Sequence, residues 1–138
     1  MSKTHSPGFV ALVTEAKKTI RETSIPVVAE RLARGATFHF VDVREDDEWR
    51  AGHAKGAVHL SKGTIERDIE VKVPNKDDEI VLYCGGGFRS ALVAESLGKM
   101  GYTNVWSMDG GMRGWREAGL PEDASEPPGE PVPSGRKP

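Results

Sequence analysis

Residues 79–83 read Glu-Ile-Val-Leu-Tyr and run directly into Cys84, three glycines and the start of an amphipathic helix. A nearly continuous apolar run of this length is what a strand shows when both faces of a parallel sheet are covered. A strand, a glycine turn and a helix in that order are half of a β-α-β unit, and in open sheets of this kind the binding crevice lies at the carboxyl ends of the strands. The pattern therefore predicts an α/β domain and puts Cys84 where a site is expected.

The flanking sequence agrees. Ser6 and Pro7 suit an N-cap and first helical residue, and Phe9, Leu12, Val13, Ala16 and Ile20 then recur at helical spacing. A second helix is predicted after Ser24, with Pro26 in its first turn and Gly35 as its stop. Strands are predicted over 37–43, 57–60, 79–83 and 104–108, and helices over 46–51, 89–100 and 110–118, with a weak helix or turn over 64–69. Such alternation gives a mostly parallel sheet with helices on both faces. The chain divides into a helical extension, residues 1–23, a domain over 24–120 and a tail over 121–138. The tail is rich in Pro, Glu, Gly and Ser, with Val132 its one large apolar residue, and is expected to be disordered.

At 138 residues, 37% of them hydrophobic, the chain suits one domain with one core. A net charge of −2 supplies no global attraction for nucleic acid or anionic lipid, and no apolar run approaches the roughly 18 residues of a membrane span. The start lacks the basic-then-apolar order of a secretory leader. One cysteine makes no internal disulfide and no Cys-rich zinc site, which fits a reducing, cytoplasmic setting. His5, His39, His53 and His59 share no ligand spacing, so no metal is expected, and no cofactor is implied.

A free thiol is either a small buried hydrophobe or a reagent, and its neighbours decide which. Here Gly85, Gly86 and Gly87 let the backbone curl and present N–H groups, which converge at the start of a helix as an anion cradle. Arg89 adds a positive charge at the rim. A helix N-terminus offers at most about 2 kcal/mol of stabilisation to an anion. A nearby arginine adds a comparable or larger amount, so the two together are expected to make Cys84 react as a thiolate.

Four stretches, in order, resemble the rhodanese homology domain: Val41-Asp42-Val43-Arg44-Glu45; Glu48-Trp49 through Gly52-His53 to Gly56-Ala57; Tyr83-Cys84 through Arg89-Ser90-Ala91; and Met108-Asp109-Gly110-Gly111-Met112 with Trp115. The resemblance extends from about Ser24 to Leu120 and implies a five-stranded, mostly parallel sheet with the loop cysteine as a persulfide carrier. It implies a sulfurtransferase moving sulfur from thiosulfate or a related small donor to cyanide, a thiol or a protein acceptor. From Cys84 to Arg89 the loop has six residues; related phosphatases and arsenate reductases of the fold have one more, so the short loop is similar to that of sulfurtransferases. The family's other alternative is a catalytically silent binding module, whose members generally lack the cysteine.

On this reading Cys84 is the nucleophile, and the amides of Gly85 to Ser90 hold the persulfide. Arg89 binds the donor's anionic end, and Phe88 is a candidate pocket wall. Asp42 and Arg44 alternate along a strand and are expected to brace loops as an ion pair. His53 is expected to brace its turn, and Asp109, before two glycines, suits a turn or cap better than a general acid. Trp49, Trp106 and Trp115 are expected to pack.

Overall fold

The structure, a computed structural model, describes residues 4–124. Its elements in chain order are α1 (Pro7–Lys17), β1 (Arg21–Thr23), α2 (Ile25–Ala33), β2 (His39–Asp42), α3 (Asp46–Ala51), β3 (His53–Ala54), β4 (Val58–His59), α4 (Ile65–Lys72), β5 (Ile80–Tyr83), α5 (Phe88–Lys99), β6 (Val105–Met108), α6 (Gly111–Glu117) and β7 (Glu122–Asp123). Five strands form one sheet in the order β1-β6-β5-β2-β4, with every pair parallel. The mostly parallel α/β sheet expected from the sequence is thus present.

β5 is central, and its four side chains are all buried, Ile80, Leu82 and Tyr83 completely. Burying an aliphatic side chain of this size contributes roughly 1.5–3 kcal/mol, so this one strand anchors the domain. The alternation of its side chains feeds two cores. Ile80 and Leu82 join Val41, Ile65, Ile69 and Leu97 on one face. Val81 and Tyr83 join Val28, Phe40, Met112 and Trp115 on the other. Helices therefore cover both faces, and Cys84 emerges at the carboxyl edge between them.

Helix α2 starts as the sequence predicts: the Ser24 hydroxyl accepts the Val27 N–H at 3.4 Å, and Pro26 sits in the first turn. Ser6 occupies the N-cap position of α1 but makes no side-chain cap bond. On that helix Val13 and Ala16 are buried, whereas Leu12, placed on the apolar stripe by spacing, is 61% exposed. α1 ends at Lys17, so Ile20 lies beyond it and packs against the core from the connecting segment.

Two boundaries differ from expectation. β1 pairs Arg21, Glu22 and Thr23 with Trp106, Ser107 and Met108, so the sheet's fifth strand comes from the segment expected to be a helical extension. At the other end, residues 121–124 are held by main-chain pairing rather than free. β7 pairs antiparallel with β3, and the Pro121 carbonyl accepts both the Trp115 Nε1–H at 2.8 Å and the Lys55 N–H at 3.0 Å. The rest of the expected disordered tail, 125–138, lies outside the described residues.

Candidate active site

Cys84 follows β5 directly, is 1% exposed, and is one of the residues lining a pocket of about 430 Å³. Gly87 takes φ of 106°, a conformation glycine adopts without penalty, and caps α5. This turn aims main-chain N–H groups at the sulfur: Gly87 N lies 3.1 Å and Ser90 N 3.4 Å from Cys84 Sγ. The Ser90 hydroxyl is 3.6 Å from Sγ and 2.8 Å from the Ser107 hydroxyl, both serines being fully buried. The two main-chain N–H groups donate to Sγ, and Sγ in turn donates to the Ser90 hydroxyl oxygen.

The loop's carbonyls point the other way and are held by α6. The Met112 N–H donates to Cys84 O at 2.7 Å and the Arg113 N–H to Gly85 O at 3.1 Å. That approach requires Gly111, because a Cβ there would collide with Cys84 O and the Gly85 backbone, and its φ is +53°. Asp109 donates its N–H to Thr23 O at 2.9 Å and serves the turn.

Arg89 lines the pocket, but its guanidinium is engaged by a residue that the sequence reading did not single out. Nη1 and Nη2 bond Glu48 Oε1 and Oε2 at 2.8 and 3.1 Å. This bond, more than the charge alone, holds the Glu48 carboxyl at about 2 and raises the Arg89 guanidinium further. Glu48 also accepts the Glu45 N–H at 3.0 Å, closing the capping box of α3, so one carboxylate ties α3 to α5. Two of the five guanidinium N–H groups are thereby used, leaving others for a substrate.

Asp42 and Arg44 form the bracing pair expected of them. Arg44 Nη2 meets Asp42 Oδ2 at 2.8 Å with both side chains buried, and also donates to Gly52 O at 2.7 Å. Burial is the largest influence and opposes the Arg44 charge; the bond to Asp42 together with the negative charge of Asp42 and its neighbours outweighs it. Tyr83 completes the group: its hydroxyl accepts the Ala54 N–H at 3.0 Å, and burial, with Asp42 close by, pushes its phenol well up. This cluster lies behind the sheet edge and outside the pocket lining. His53 braces its turn through Nδ1 to Trp49 O at 2.9 Å and stacks on Trp49, with ring centres 3.4 Å apart. Trp115 is buried, as expected of a packing residue.

The pocket is lined by His5, Phe9, Glu48, Cys84, Gly85, Gly86, Phe88, Arg89 and Arg113. Phe88 is thus a wall residue. His5, Phe9 and Arg113 were not legible: the first two reach the site only because α1 packs on α5, and Arg113 only because α6 docks on the loop.

Residues 24–118 match the rhodanese-like domain over more than half of the chain. The chain belongs to the rhodanese-like domain family. Among its relatives is the thiosulfate sulfurtransferase PspE of Escherichia coli, 32% identical over 87 residues, which are 63% of this chain and 77% of that protein. A candidate sulfur carrier protein of Bacillus subtilis, YrkF, is 30% identical over 102 residues, 74% of this chain, and the match spans only about half (54%) of that protein. Among solved structures, a Rhodopseudomonas palustris protein of unknown function, described as a possible tyrosine phosphatase, superposes with a TM-score of 0.76 at 31% identity, covering 89% of this chain and 99% of that one. Among the described residues, no helix of this rhodanese-like domain is long and apolar enough to cross a membrane.

Proposed function

We propose that this protein is a sulfurtransferase that carries sulfane sulfur as a Cys84 persulfide. The observation that carries the reading is the pair of N–H groups, from Gly87 and Ser90, directed at Sγ itself at 3.1 and 3.4 Å. In the first displacement the Cys84 thiolate attacks the outer sulfur of thiosulfate. The Sγ–S bond forms, the S–S bond breaks, and sulfite leaves with the electron pair. In the second, cyanide or a thiolate attacks the outer sulfur and Cys84 is released as thiolate. No net oxidation occurs. A dianionic donor meeting a thiolate is strongly repelled, and the Arg89 N–H groups that Glu48 leaves open offset that repulsion at the pocket.

The same persulfide serves a relay to a protein acceptor, a reading supported by the likeness to a candidate sulfur carrier. A thiol that must stay free suits a reducing, cytoplasmic setting. The likeness to a possible tyrosine phosphatase favours phosphate ester hydrolysis as the competing reading. The loop supports it less, because its amides close on the sulfur rather than around a larger group beyond it. Thiocyanate formation from thiosulfate and cyanide, with p-nitrophenyl phosphate hydrolysis run in parallel, tests the reading. The expected result is thiocyanate from the native chain, none from Cys84→Ser and no phosphatase turnover. Phosphatase turnover without thiocyanate contradicts it.

A further inference from the structure

The pocket is larger than thiosulfate requires and carries a surface that thiosulfate would not use. Its volume of about 430 Å³ falls in the range of sites for organic ligands, roughly 300–1,000 Å³. Thiosulfate, with five heavy atoms, fills only a fraction of it. Three rings meet at the wall: His5 and Phe88 at 4.4 Å between centres, His5 and Phe9 at 5.3 Å, and Phe9 and Phe88 at 5.7 Å. His5 and Phe9 precede the residues matched by the family model, so two of the three rings come from the N-terminal segment.

The two cations of the pocket are not equivalent. Arg89 is paired with Glu48 through two bonds, which use two of its five N–H groups. Arg113 carries no such ion pair among the described residues, and it reaches over the loop because Gly86 lacks a side chain. A Cβ at Gly86 would lie 2.5 Å from Arg113 Nη2. The site therefore offers the Cys84 sulfur, a three-ring aromatic wall and one guanidinium without an ion pair among the described residues.

We propose that this pocket is built for a carboxylate-bearing organic persulfide as sulfur donor, with His5, Phe9 and Phe88 packing on its carbon frame and Arg113 holding its carboxylate. The inference rests on the sulfur-transfer reading of Cys84. The step balances: the Cys84 thiolate attacks the outer sulfur of R–S–SH, Sγ–S forms, the donor's S–S bond breaks, and RS⁻ leaves with the electron pair. The proton stays on the transferred sulfur. Carboxylate on guanidinium and alkyl on aromatic ring use both surfaces at once, which an inorganic donor does not.

The test is the second-order rate of Cys84 persulfide formation with glutathione persulfide as the organic probe and thiosulfate as reference. Native chain, Phe9→Ala, His5→Ala and Arg113→Gln are compared, each checked for folding by its thermal midpoint. The native chain is expected to prefer glutathione persulfide, and each variant to lower the ratio of the two rates about tenfold, the equivalent of one aromatic or charged contact. Arg113 is exposed, so Arg113→Gln keeps the test open if a ring variant folds poorly. Equal losses with both donors, or an unchanged ratio, overturn the donor proposal and leave sulfur transfer standing. No sulfur gained from either donor overturns both.

Discussion

Arg89 and Glu48 face each other with two parallel bonds, Nη1 to Oε1 at 2.8 Å and Nη2 to Oε2 at 3.1 Å, and so lock the first turn of α5 to the first turn of α3. The guanidinium is held at the pocket rim by this carboxylate. Glu48→Gln keeps the shape but loses the charge and the two-pronged geometry. The expected outcome is a severalfold rise in KM for an anionic donor, with a smaller change in kcat, measured by steady-state kinetics. An unchanged KM contradicts the positioning role.

The same pair sets a pH dependence. The Glu48 carboxyl is held at about 2 in the folded chain, below an ordinary value of 4.5, chiefly by its bond to Arg89. A carboxyl depressed on folding contributes stability that is fully present above the unfolded value and is lost as pH falls through the folded one. The stability gap between the native chain and Glu48→Gln is therefore expected to be constant above about pH 5 and to close as pH falls from 4.5 towards 2. Denaturant unfolding at several pH values measures it. A gap that widens on acidification has the wrong sign for this account.

Asp42 and Arg44 test the buried brace. Asp42→Ala leaves the Arg44 guanidinium buried without its partner and is expected to cost about 3–5 kcal/mol. Urea unfolding monitored by tryptophan fluorescence reads it. A loss below about 1 kcal/mol, the scale of an exposed pair, would contradict the burial argument.

Gly111, which opens α6, and Gly86, in the Cys84 loop, make a contrasting pair. Gly111→Ala places a Cβ against Cys84 O at a φ of +53°, so it is expected to push α6 off the loop. A cost of about 2 kcal/mol or more and loss of sulfur transfer are expected. Gly86→Ala meets only the end of the flexible Arg113 side chain and is expected to fold normally. Equal stability of the two variants, read from thermal midpoints, contradicts the close-approach argument.

The central strand, the glycine loop and α5 were legible because burial on both faces leaves an unbroken apolar run and a tight strand-to-helix turn leaves glycines. β1 was not. Its three residues, Arg-Glu-Thr, are polar, sit at a sheet edge and bury no side chain fully, so neither period nor composition marks them. Leu12 misled for the opposite reason: helical spacing put it on the apolar stripe, while α1 buries only the Val13 and Ala16 side. Cys84 and Arg89 stand in one local segment and could be read together. Glu48 stands in a recognisable segment, but its partner lies 41 residues away. Arg113, His5 and Phe9 join the site by helix packing, which no local pattern encodes.

β1 also bears on where the domain begins. A chain starting at residue 24, where the family match starts, lacks β1 and leaves the β6 edge from Trp106 to Met108 unpaired. An unpaired, partly apolar edge invites association. The shortened chain is expected to unfold at a lower temperature and to self-associate in size-exclusion chromatography. A monomer as heat-stable as the full chain contradicts the assignment of β1 to the sheet.

The most direct measurement is the intact mass of the reduced chain before and after incubation with thiosulfate or glutathione persulfide, beside Cys84→Ser. The account predicts a gain of one sulfur atom on the native chain alone, removed by cyanide with thiocyanate released. A folded, reduced native chain that gains no sulfur from either donor, or a gain that survives in Cys84→Ser, would contradict it.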